Sequence, residues 1–64
     1  MSNKQVEIDC AVVRSTAAAV CIDVGGKDNI WVPKSIISDY TGESVDTADS
    51  IFIPEWIAIE KGLV

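Results

Sequence analysis

The chain has 64 residues, 48% of them hydrophobic, and a formal net charge of −5. That length sets one domain with a thin core, and that apolar share excludes a disordered chain. The acidity excludes an electrostatic grip on nucleic-acid phosphates, which bind by counterion release onto Lys and Arg.

The bases are Lys4, Arg14, Lys27, Lys34 and Lys61. Between Ser35 and Glu60 the charged residues are all acids: Asp39, Glu43, Asp46, Asp49, Glu55 and Glu60. Such a run is ordinarily a solvated face; its sharper use is to meet a basic partner. No apolar run reaches the roughly 20 residues that a bilayer span takes, and Met1–Gln5 shows no secretory pattern. A cytoplasmic location without membrane contact is the expectation, with 1–64 as one domain and 1–5 as a frayed N-terminus.

Val6–Val13 alternates, with Val6, Ile8, Cys10 and Val12 on one side. This period of two predicts a strand with one buried face. Ala17–Val24 alternates likewise, with Ala18, Val20, Ile22 and Val24 inward. Arg14-Ser15-Thr16 supplies the connection. A turn at Ser15-Thr16 would set Ile8 against Asp23, so the register is expected to slip by one residue and align the two buried sets. Cys10 then faces the core and Cys21 the opposite side. Thiols on opposite faces cannot form a disulfide, so both are expected free.

Gly25-Gly26-Lys27-Asp28 predicts a tight turn. Asn29–Val32 returns as a third strand, with Ile30 and Val32 inward and Trp31 outward. Pro33 lacks a ladder donor, so the strand ends there or lies at an edge. Lys34–Tyr40 predicts one helical turn with Ile36 and Ile37 tucked in. Val45–Ser50 reads as an acidic loop with little to bury. Ser50–Ile53 predicts a strand, Ile51 and Ile53 inward, Phe52 beside Trp31 on the second face.

Pro54–Lys61 predicts the one helix. Pro54 suits the first helical position, Glu55 and Lys61 complement the dipole, and Gly62 stops it. So short a helix must dock, through Trp56 and Ile59 or Ile57. The expected fold is mostly β: a small, strongly bent antiparallel sheet of four or five strands, SH3-like or OB-like, with one C-terminal helix.

The chain has no His, which removes the usual general base, the common triads and most zinc sites. Gly25-Gly26-Lys27 lacks the spacing of a phosphate loop. Asp39, Glu43, Asp46 and Asp49 do not match a calcium loop. No enzyme, no metal and no cofactor is expected. What is left is surface. Trp31, Phe52 and Trp56 are candidate partner-binding residues, since aromatic residues anchor interfaces, with Lys34 and Ser35 beside them. The competing reading is that the terminal helix covers Trp31 and forms a second small core. Spare apolar surface in so small a chain also predicts a homo-oligomer, with the strand edge near Pro33 open to pairing by a second subunit.

The phrases Ile30-Trp31-Val32-Pro33-Lys34-Ser35 and Ile53-Pro54-Glu55-Trp56-Ile57-Ala58…Lys61-Gly62-Leu63 resemble those of a family of small phage and prophage proteins. In that family an apolar-Trp-apolar-Pro-Lys-Ser segment precedes a Pro-Glu-Trp helix ending in Lys-Gly-Leu. The likeness covers roughly the second half of the chain. It implies a phage origin, a non-enzymatic accessory role and a place in the host cytoplasm, and it transfers no catalytic residue.

Three functions follow as expectations. The first is an accessory protein that binds and inhibits a host protein, an anti-defence role being the natural form. The second is an oligomeric sponge for a nucleotide signal, with Trp31 stacking a base and Lys34 meeting a phosphate. The third is an OB-type module for single-stranded nucleic acid, which has the aromatics but lacks the basic groove.

Overall fold

The computed structural model describes residues 4–26 and 28–63. The expectations for the frayed tip and for Lys27 in its turn therefore fall partly outside the described residues.

The strands are β1 (Gln5–Asp9), β2 (Ala11–Ser15), β3 (Ala19–Asp23), β4 (Ile30–Pro33), β5 (Asp39–Thr41) and β6 (Ser50–Pro54), followed by helix α1 (Glu55–Glu60). Short 3-10 turns lie at Lys34–Ile36 and Val45–Thr47. The strands form two antiparallel three-stranded sheets, ordered β1-β6-β5 and β2-β3-β4. The molecule is mostly β, as its alternation predicts, with more strands than expected.

The long alternating segment is not one strand in one sheet. Gln5–Asp9 pairs with β6 and Ala11–Ser15 pairs with β3. Cys10 is the corner, and its N–H still reaches the Asp49 carbonyl at 3.1 Å. Gln5 is the first residue of β1.

One core fills the space between the sheets. Ile8, Ile51 and Ile53 come from one sheet; Val20, Ile22 and Val32 come from the other. Ile57 and Ala58 of α1 close it, joined by Ala48. Each fully buried aliphatic side chain contributes about 1.5–3 kcal/mol. The short principal extent, 18 Å, is what two sheets about 10 Å apart require.

The β2–β3 register differs from the expected slip. Val12 opposes Ile22, Arg14 opposes Cys21, and Val13 is the extra residue of a bulge between them. The turn lies at Ala17-Ala18 rather than Ser15-Thr16. The Thr16 N–H reaches the Ala19 carbonyl at 2.8 Å, and Thr16 Oγ1 accepts from the Ala19 N–H at 3.0 Å. A Thr hydroxyl that caps its own turn outbids the plain hairpin geometry. Cys10 and Val12 still pack on the core side, Cys21 falls on the other face, and both thiols are free.

Two stretches are more ordered than expected. Asp39–Thr41 forms β5 on the edge of β6. In the acidic loop Ala48 and Ser50 are buried and Val45 packs against the core. The helix starts at Glu55, with Pro54 as its cap residue. It ends in a Schellman arrangement: Gly62 takes φ 73°, its N–H meets the Ile59 carbonyl at 3.1 Å, and the Leu63 N–H meets the Ala58 carbonyl at 2.8 Å.

Candidate interaction surfaces

Two sheets around one core leave two outer faces. Cross-strand pairs share a face, so the register fixes their contents. On the sheet β2-β3-β4 the outward row is Arg14, Cys21 and Trp31, with Ala19 and Pro33 as the next pair. On the sheet β1-β6-β5 the outward rows are Glu7, Phe52 and Asp39, then Asp9, Ser50 and Thr41. The first face also carries the pair Ala11 and Asp23 and is apolar around Trp31; the second is acidic and hydroxylated.

This separates residues that the sequence had grouped. Trp31 and Phe52 lie on different sheets and point away from the shared core in opposite senses. Phe52 does not sit beside Trp31. Trp31 is 47% exposed, so the helix does not cover it. Phe52 is half-buried between Glu7 and Asp39.

Cys21 faces outward yet is only 4% exposed. It is a small side chain on a central strand, flanked by the larger Arg14 and Trp31. Ser50 repeats the pattern on the other sheet, buried between Asp9 and Thr41. Its hydroxyl donates to Glu7 Oε2 at 2.8 Å and lies 2.8 Å from Thr41 Oγ1. A serine has one proton to give, so Thr41 is the donor and the relay runs Thr41 to Ser50 to Glu7.

Lys34 is spoken for. Its Nζ lies 2.9 Å from Asp46 Oδ1, joining the two 3-10 turns. The hydrogen bond from Lys34 holds the Asp46 carboxyl below its ordinary value; desolvation opposes it, and the Lys34 charge and a hydrogen bond from Ser15 add smaller lowering effects. Ser35 beside it is exposed. At Cys10, burial pushes the thiol up, and the Asp9 and Asp49 charges push it further.

Of the residues expected to dock the helix, Ile57 does so and Trp56 and Ile59 do not. Ile57 and Ala58 dock, whereas Trp56 is 51% and Ile59 60% exposed. Trp56 and Ile59 are three apart, so they stand on one helix face. Lys4 Nζ lies 3.4 Å from Glu55 Oε2 at the start of that helix, and the Glu55 N–H meets the Lys4 carbonyl at 2.9 Å. Ile59 is the interface candidate that the sequence reading spent on docking; its spacing from Trp56 was the available signal.

Among the described residues there is no pocket and no group of three or more metal-ligating side chains, and no helix is long and apolar enough to cross a membrane. No protein-family model, no curated protein and no solved structure matches the chain.

Proposed function

We propose that this protein works by contact: a non-enzymatic binding module, built on two small antiparallel sheets of SH3-like character, that docks onto another protein through α1. The observation that carries the reading is the pair Trp56 and Ile59, both more than half exposed on a helix whose opposite side is fixed in the core. A Trp beside an aliphatic residue on a docked helix is the kind of rigid anchor that fills a pocket on a partner. The resemblance to small phage and prophage proteins supplies the class of partner: a host protein, defence components foremost, which binding would inhibit. The nucleotide-sponge reading is weaker, because Lys34 is already held by Asp46 at 2.9 Å.

The test is capture from host lysate over a range of salt, with the wild type beside a Trp56→Ser, Ile59→Ser double variant. Captured protein that is lost with the variant, while its circular dichroism stays native, supports the reading. Capture at background only, or unchanged by the substitutions, overturns it.

A further inference from the structure

An exposed strand edge is a template for pairing, and proteins ordinarily guard it with charge, proline, bulges, brevity or cover. The free edges of this fold differ in how they are guarded. β5 is three residues long and starts with Asp39. β1 carries Glu7 and Asp9. β2 is bulged at Val13, and the turn Val45–Thr47 packs against it. β4, Ile30-Trp31-Val32-Pro33, carries no charge, and its proline guards only its last position.

The hydrogen-bond alternation says what β4 offers. The Lys34 N–H reaches the Ala18 carbonyl at 2.8 Å, which makes Lys34 and Ala18 a bonded pair. Bonded pairs alternate along an antiparallel ladder, so Val32–Val20 and Ile30–Ile22 are bonded too. Trp31 and Pro33 then turn their backbone groups away from β3. Pro33 has no N–H to waste there. Trp31 presents both an N–H and a carbonyl to the free side.

We propose that this edge pairs with β4 of a second copy of the chain, antiparallel and centred on Trp31. The proposal is independent of the helix face above. In that register each Trp31 N–H meets the Trp31 carbonyl of the other copy. Asn29 of each copy then lies opposite Pro33 of the other, whose carbonyl already begins the 3-10 turn, so the reciprocal Trp31 pair is the main backbone contact. Shifting the register to set Trp31 against Pro33 loses the reciprocal bond, since proline cannot donate. The contact is isologous, so one patch serves both partners. Charge favours it as well. The two chains, each at −5, meet on an uncharged edge with their acidic faces on the other sheets. The two Trp31 rings become cross-strand neighbours on the apolar face.

Sedimentation equilibrium across a concentration series is the first measurement. A mass of about twice 6.9 kDa is expected for the wild type and for Trp56→Lys. Trp31→Lys, an edge charge on an exposed position, is expected to weaken dimerisation at least tenfold. Amide exchange of wild-type Trp31 is the second: its N–H is expected to be protected at high concentration and to lose that protection on dilution. A wild type that stays monomeric at every concentration overturns the proposal. So does a dimer that Trp56→Lys dissolves and Trp31→Lys does not. So does a dimer in which the Trp31 amide exchanges as freely as in the monomer, because that dimer packs ring on ring and leaves the edge open.

Discussion

Lys34 and Asp46 form an ion pair 2.9 Å long between the turn after β4 and the turn before β6. The pair fastens two short connections that have little regular structure of their own. Because the Asp46 carboxyl is held below its ordinary value, its contribution to stability is fully present above the ordinary carboxylate range. It is lost as pH falls through the lowered value. Asp46→Asn removes that titration. Its acid-unfolding curve should therefore fall less steeply than the wild type's as pH drops into the carboxylate range, measured by circular dichroism. Parallel curves would mean that the pair contributes nothing. High salt should narrow the difference, since the pair is partly exposed.

Gly42 is a sharper test of local geometry. It takes φ 120°, and a Cβ there would lie 3.1 Å from the Thr47 carbonyl oxygen and 3.3 Å from Ala48 Cα. Both neighbours are backbone and cannot swing away. Gly42→Ala is expected to cost about 1–3 kcal/mol from strained backbone, plus the crowding. Gly25 takes φ 90° but would meet nothing within 4 Å, so Gly25→Ala should cost less. Urea midpoints of the two variants give the order directly.

The two cysteines should both be slow to alkylate in the folded protein, for different reasons. Cys10 has its thiol pushed up by burial and neighbouring carboxylates, which lowers the thiolate fraction that reacts. Cys21 is sealed between Arg14 and Trp31. Trp31→Ala should open Cys21 and raise its rate several-fold while leaving Cys10 unchanged. Iodoacetamide labelling followed by peptide mass spectrometry separates the two sites. Equal rates at Cys21 in wild type and variant would show that Trp31 is not the cover.

Ile53 and Ile59 carry the same side chain in opposite surroundings. Ile53 is fully buried on the central strand β6, and Ile59 is 60% exposed. Ile53→Ala should cost about 2–5 kcal/mol, enough to unfold much of so small a domain. Ile59→Ala should stay within about 0.5 kcal/mol. Thermal melts followed by circular dichroism check both.

Local chemistry alone determines much of this protein. The alternation of Val6, Ile8, Cys10 and Val12, and of Val20 and Ile22, marked the buried faces, because a strand side chain has only two directions to choose from. Gly62 marked the helix end, because few other residues take a positive φ cheaply. Asp39–Thr41 and Ala48 leave no mark in the sequence, because neither is apolar enough over enough residues to show a period; contact with β6 and the core is what orders them.

What only the tertiary structure decided is which outward residues share a surface. Alternation says that Trp31 and Phe52 both point away from a core, but not that they belong to different sheets. That depends on the corner at Cys10, where one alternating segment passes from the first sheet to the second. Likewise the helical period allowed Trp56 and Ile59 to dock, or Ile57. Packing chose Ile57 and Ala58, which join the core between the sheets, and left the Trp56 indole half exposed.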